Sequence, residues 1–173
     1  MRLFYEKGYE KTSISDIAKE MQVAQGLFYR YFPSKEILFE TAIEQYARKQ
    51  VAQMTSILDT SHKTLLQIVE QMPTFIEAEQ EDSYMKKIFH GAGSQEIHMR
   101  LSMSICSKMQ PIVEQLLQDA NERGETQISD PEAAASFCVY GQLGILLDQS
   151  IPREERVRRI KKFLTEVLRK FQK

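Results

Sequence analysis

The chain has 173 residues, of which 42% are hydrophobic and 27% charged, with 23 Lys and Arg against 24 Asp and Glu. That length and composition suit one or two small domains with a real core, and no apolar run approaches the roughly 18 to 20 residues that cross a bilayer. The opening M-R-L-F-Y-E-K lacks the layout of a signal peptide, so a cytoplasmic protein without membrane contact is expected.

The net charge of -1 hides an uneven distribution: residues 1–50 sum to +1, residues 51–152 to -8 and residues 153–173 to +6. An acidic middle excludes a protein that coats nucleic acid along its whole length, and any such contact must be local and salt-sensitive. The two cysteines, Cys106 and Cys138, stand in apolar helical patterns without ligand spacing and read as buried free thiols.

Apolar residues recur at three and four almost throughout, with five prolines, seven glycines and no hairpin signal, so the fold class is all-α. Leu3, Phe4 and Tyr5 form the end of a first helix that Lys7 and Gly8 close. Thr12 or Ser13 caps a second helix, with Ile14, Ile17, Ala18 and Met21 inward and an end near Met21. Gln22 and Val23 turn the chain into a helix over residues 24–30 that buries Val23 and Phe28 and leaves Gln25, Gly26, Leu27, Tyr29 and Arg30 outside. Phe32 is assigned to the core. Pro33 and Ser34 start a long helix predicted to run to about Asp59, with Phe39, Ile43, Tyr46, Ala47, Met54 and Ile57 on one stripe.

Further helices are expected over residues 62–80, kinked at Pro73, over 83–90, and over 95–123 with Pro111 as a place to bend. Gly124 closes that last one, and residues 126–130 form a loop. A helix over residues 131–148 follows an Asp130 cap. Pro152 then starts a final amphipathic helix, whose stripe Val157, Ile160, Phe163, Leu164, Val167, Leu168 and Phe171 opposes a basic face of Arg156, Arg159, Lys161, Lys162, Arg169 and Lys170.

The run G-Y-E-K-T-S-I-S-D-I-A, followed by G-L-F-Y-R-Y-F-P-S-K-E-I-L, resembles the DNA-binding head of the TetR family of bacterial transcriptional regulators. The likeness covers about residues 3–47. It implies a helix-turn-helix head over residues 1–46 and a larger helical effector-binding and dimerisation domain over residues 47–173. Carried over position by position, Thr12 and Ser13 would contact phosphate through a cap, Gln25, Gly26 and Leu27 would face the groove with Arg30 beside them, Tyr29 and Tyr31 would take the aromatic phosphate positions, and Lys35 the basic one. Two departures stand out. Gln22 occupies a turn position where the family commonly has Gly, at a cost of about 1 kcal/mol if the backbone is left-handed. The chain also begins only a few residues before Gly8, so that the leading helix is either truncated or short, with weaker support for the head.

The function that follows is a ligand-responsive regulator, by resemblance a repressor, that binds a palindromic double-stranded DNA operator as a homodimer and is released by a small hydrophobic effector. Effector-pocket candidates are Met54, Met72, Phe75, Met85, Phe89, Met103, Phe137 and Tyr140, because thioether and aromatic side chains make adaptable apolar surface; helical spacing reads the same residues equally well as core. Helix packing and the resemblance together place the dimer interface at Phe137, Gly141, Gly144, Ile145, Ile160, Phe163, Leu164 and Val167. No cofactor or metal is expected: His90 and His98 lie eight apart without a site's spacing. Nor is an enzyme, since no nucleophile stands near a base and there is no Gly-rich phosphate loop. The alternative is a helical ligand-binding or adaptor protein with a weakened head.

Overall fold

A computed structural model describes residues 2–56, 63–74 and 95–172 of the chain. Among these residues the fold is helical, with a lone antiparallel bridge between Thr126 and Gln172. Contacts divide the chain into two compact units. The first comprises residues 1–47 and 80–104, and the second residues 48–79 and 105–173.

In the first unit, α1 (Arg2–Lys7) ends at Gly8, whose φ of +80° is the left-handed turn expected there. Helix α2 (Ile14–Glu20) is opened by Ser13: its hydroxyl accepts from the Asp16 amide while the Asp16 carboxylate accepts from the Ser13 amide, a reciprocal capping box. The helix closes with the Gln22 amide bonded to the Lys19 carbonyl and the Val23 amide to the Ala18 carbonyl. This Schellman closure demands a left-handed residue, and Gln22 takes it at φ 56°. Helix α3 (Gln25–Tyr31) follows at once. Ser34 caps α4 (Lys35–Thr55) by accepting from the Ile37 amide.

Phe4, Ile14, Ile17, Ala18, Phe28, Phe39 and Ile43 fill the interior of this unit. The Phe4 ring meets Phe39 edge-on at 5.1 Å, Tyr9 tilts against Phe39 at 4.9 Å, and Phe32 lies 5.2 Å from Phe28. Such aromatic pairs add about 1 kcal/mol each beyond the area they bury. Met21, expected inward, is instead 59% exposed. It is the C-cap of α2, where the chain turns away from the buried stripe.

The long α6 (Gln95–Glu122) contributes its first residues to this unit. There Arg100 pairs with both Glu96, four residues back, and Glu40 of α4, while its guanidinium lies 5.8 Å from the Phe39 ring. Sequence reasoning passed over Arg100. Its i,i+4 spacing from Glu96 is a visible signal, whereas the pairing with Glu40 spans sixty residues.

In the second unit, Thr64 and Gln67 form another capping box at the start of α5 (Leu65–Gln71). The expected kink at Pro73 is corrected: the helix ends at Met72, and Pro73 lies just beyond it. Helix α6 runs on through Pro111 and closes at Gly124, φ +74°, with the Gly124 amide on the Asn121 carbonyl and the Glu125 amide on Ala120. The loop after it is held by Asn121, whose side chain bonds the Ile128 amide and carbonyl and the Thr126 hydroxyl. The Gln127 amide donates to the Phe171 carbonyl, so the end of the chain is fastened to this loop.

Asp130 and Pro131 start α7 (Pro131–Tyr140). The single helix expected over residues 131–148 is broken after Tyr140 and resumes as the short α8 (Leu143–Leu146). The interruption falls at Gly141, a residue with high backbone entropy in the unfolded chain and low helix propensity. Helix α9 (Arg153–Arg169) begins after Pro152, as read from the sequence. Leu65, Ile68, Leu116, Leu117, Ala120, Ile128, Ala135 and Leu168 form the main core of this unit, and Leu146 with Ile160 a smaller one. Arg156 leaves the expected basic face: it is 6% exposed, and its guanidinium donates to the Leu146 carbonyl. The expected helix over residues 83–90 and the end of α4 at residue 59 lie outside the described residues.

Candidate nucleic-acid interface and cavity

Six of the seven residues of α3 carry the surface that the sequence singled out. The helix buries Phe28 and exposes Gln25, Gly26, Leu27, Tyr29, Arg30 and Tyr31. Neither tyrosine packs beneath the helix. Leu27, 45% exposed, is an apolar side chain held in water, which suits contact with a thymine methyl, while exposed Gln25 has the paired donor and acceptor that match an adenine edge. Ser13 is exposed at the start of α2, and its hydroxyl is also 2.7 Å from Asp16. This hydrogen bond to Ser13, its amide bond and the Lys7 ammonium at 3.0 Å together hold the Asp16 carboxyl down at about 2, from an ordinary 3.8.

Two expected contacts are placed differently. Thr12 is 1% exposed, and its hydroxyl points inward within bonding distance of the Leu3 and Gly8 carbonyls. It ties α1 to the next turn and has no face for a phosphate, so the expected contact is corrected to an internal one. Lys35 is half-buried; its ammonium donates to the Tyr9 carbonyl at 3.1 Å and stands 4.3 Å over the Tyr9 ring. Tyr9, which sequence reasoning did not single out, donates in turn to Glu36 at 2.7 Å. Burial first, then that bond to the Glu36 carboxylate, push the Tyr9 phenol up to about 12, so it stays a donor at any physiological pH. Lys35, Tyr9 and Glu36 thus brace the first turn of α4 against the loop between α1 and α2.

The second unit contains a cavity of about 90 Å³. Its wall comes from α5, the middle of α6, the end of α7 and α9, together with Met54 on α4 and Met72, Pro73 and Thr74 after α5. Of the effector-pocket candidates, Met54 and Met72 line it. Met103 and Phe137 do not; they are 45% and 80% exposed, and a helix surface turned to solvent encloses nothing. Tyr140 is half-buried and also off the wall. Phe75, Met85 and Phe89 lie outside the described residues, as does His90. The polar wall residues Gln142 and Lys161 were missed as cavity residues, because each sits one position from an apolar stripe. Cys138 lines the cavity half-buried, and burial pushes both thiols up, Cys106 to about 12. Neither is a thiolate at neutral pH, so neither is a nucleophile.

Of the dimer-interface candidates, Phe137, Gly141, Gly144 and Phe163 are exposed, and Ile145, Leu164 and Val167 half-buried. Ile160 is corrected: at 2% exposure it packs against Leu146 and is spent inside its own subunit. Leu164 also lines the cavity.

Comparison with known proteins bears on the head above all. The family model of the bacterial regulatory proteins, tetR family, matches residues 1–42. An HTH-type transcriptional regulator of Bacillus subtilis, YuxN, is 42% identical over 57 residues, which is 33% of this chain and 20% of YuxN. The nucleoid occlusion factor SlmA of Haemophilus influenzae is 27% identical over 89 residues, 51% of this chain and 41% of SlmA. The chain therefore spans between a fifth and two fifths of the length of these two relatives. In fold, a crystal structure from Mesorhizobium loti assigned to the TetR-family transcriptional regulators superposes with a TM-score of 0.66 at 20% identity, over 98% of this chain and 91% of that one. Residues 1–42 thus match the DNA-binding head of the bacterial regulatory proteins, tetR family, and the chain shares the helical fold of a structure assigned to the TetR-family transcriptional regulators.

Proposed function

We propose that the protein is a ligand-responsive repressor that binds a palindromic operator as a homodimer and is released by a small apolar effector. The observation that carries this reading is α3, which buries one aromatic ring, Phe28, and leaves its other six residues exposed to solvent. Gln25, Gly26, Leu27 and Arg30 face the major groove, and Ser13, Tyr29 and Tyr31 hold the phosphates on either side. Lys35 acts mainly by bracing α4, and Thr12 by fixing α1. The near-neutral head favours two heads bound together, since a single short recognition helix covers too few base pairs for useful specificity.

The apolar cavity supports the effector. Met54 lines it and belongs to α4, whose first residues are part of the head unit. A ligand that prefers one position of Met54 thus biases a helix that is continuous from Lys35 to Thr55. Exposed Phe137 and Phe163, beside the small residues Gly141 and Gly144, support pairing of α7 and α9 with those of a second subunit.

A gel-shift titration on DNA from upstream of the protein's own gene tests the reading. Saturable binding that competitor DNA of unrelated sequence does not displace is expected, with a two-fold symmetric footprint. Weak binding that disappears with moderate salt on every sequence would instead favour a ligand-binding or adaptor protein with a weakened head, a reading that Gln22 in its left-handed turn keeps in play.

A further inference from the structure

Arg100 stands in the opening turns of α6, far along the chain from the helix-turn-helix, yet its partners belong to the head. Its own helix sets the guanidinium in place: Nε at 3.2 Å and Nη2 at 2.9 Å both donate to one carboxylate oxygen of Glu96, a turn earlier. That fixes the plane of the group and leaves Nη1 to donate to the Glu40 carboxylate on α4. The same guanidinium lies 5.8 Å from the Phe39 ring, which packs in turn on Phe4 and Tyr9. One turn further along both helices, the Ser104 hydroxyl donates to Glu44 at 3.3 Å. The bonds between α4 and α6 therefore recur at the four-residue spacing that keeps side chains on one helix face. Lys35 and Glu36 pin the first turn of α4 through Tyr9, and Arg100 pins the second.

We propose that the opening of α6 is a working part of the DNA-binding head, and that Arg100 is a positioning residue for operator binding: paired with Glu40, it holds the second turn of α4 in the place from which α2 and α3 meet DNA. The proposal rests on the DNA-binding reading above and extends it to a residue outside the helix-turn-helix. The paired side chains are 48% and 57% exposed, so the pair adds little to global stability. Its effect is local. A head whose α4 samples several positions must surrender that freedom when it docks, and affinity falls accordingly. The sign of the charge effect separates this role from plain electrostatics. Glu40 is an acid in a DNA-binding unit, so removing its charge strengthens binding if only the field matters, and weakens binding if the pair positions α4.

Fluorescence anisotropy of the full chain on DNA from upstream of its own gene, at constant salt, tests this. Glu40→Gln and Arg100→Met are each expected to bind about fivefold more weakly, counting the pair once in each of two heads. The swapped pair, Glu40→Arg with Arg100→Glu, keeps the net charge and should recover affinity to within about twofold. Glu40→Gln that binds as tightly as the parent or more tightly, or a swapped pair no better than the single variants, overturns the proposal and leaves the DNA-binding reading standing. Amide hydrogen exchange of the free protein reads the same contact without DNA. Residues 39–44 should exchange about threefold or more faster in Arg100→Met than in the parent, and unchanged exchange there overturns the bracing role. A parent chain that binds no DNA with sequence preference overturns the operator role of Arg100 together with the DNA-binding reading.

Discussion

Gln22 and Gly124 hold the same place in two helix ends. Each follows its helix by one residue beyond the cap, each has positive φ, and in each the same pair of crossed hydrogen bonds closes the turn. Glycine meets no steric penalty there, whereas a side chain in the left-handed region costs about 1–2 kcal/mol. Replacing Gln22 by Gly also frees the unfolded chain, at a cost of about 0.4–1 kcal/mol. Gln22→Gly is therefore expected to stabilise the protein by roughly 0.5–1 kcal/mol in urea unfolding, and unchanged or lower stability would show that the turn is not strained. Asp16 provides a second residue-scale case. Its folded value of about 2 lies below its ordinary 3.8 because Ser13 and Lys7 stabilise the charged form. The contribution is complete above about pH 4 and is lost as pH falls toward about 2. Thermal melts of the parent and of Asp16→Asn should differ at pH 7 and converge across that window; a gap that stays constant down to pH 2 would remove the capping box as its cause.

At the scale of elements, α3 separates two kinds of contact that mutation can tell apart. Tyr29→Phe and Tyr31→Phe remove the exposed hydroxyls proposed to hold phosphate, and each should weaken binding by roughly fivefold to tenfold on operator and unrelated DNA alike. Gln25→Ala should leave unrelated DNA unaffected and relax the requirement at one base pair of the operator. Parallel binding curves on both DNAs check this, and a uniform effect of Gln25→Ala would move that residue to the phosphates. Most of these elements were legible in the sequence because local chemistry dictates them: Gly8, Ser13, Ser34, Gly124, Asp130 and Pro152 mark helix ends within a turn of where they occur. What was not legible depends on partners far away in the chain. Thr12 reads as a surface cap until the Leu3 carbonyl is brought to it, Arg156 as a solvated cation until Leu146 covers it, and Lys161 as part of a basic face until α5 closes the cavity beside it. Periodicity sorts residues by face, and it cannot say which face a neighbouring helix will occupy.

For the molecule as a whole, two bare aromatic rings state the question. Phe137 is 80% exposed on α7 and Phe163 is 63% exposed on α9, an arrangement that puts large apolar area in water. Burying one such ring recovers about 2 kcal/mol at the usual area coefficient, which is the contribution each ring would make to the proposed two-fold interface. A charge at each of these positions has the opposite effect, because a desolvated carboxylate without a partner is far costlier than an exposed one. Phe137→Glu combined with Phe163→Glu should therefore convert a dimer to a monomer of 20.1 kDa in sedimentation at micromolar concentration. The substitutions lie outside α3, so each separate head keeps its contacts. Operator affinity should still fall by about a hundredfold or more, because the second head no longer benefits from the effective concentration set by the first. Monomer formation with unchanged operator affinity would mean that one head suffices, and a dimer that survives both substitutions would place the subunit interface elsewhere on the second unit.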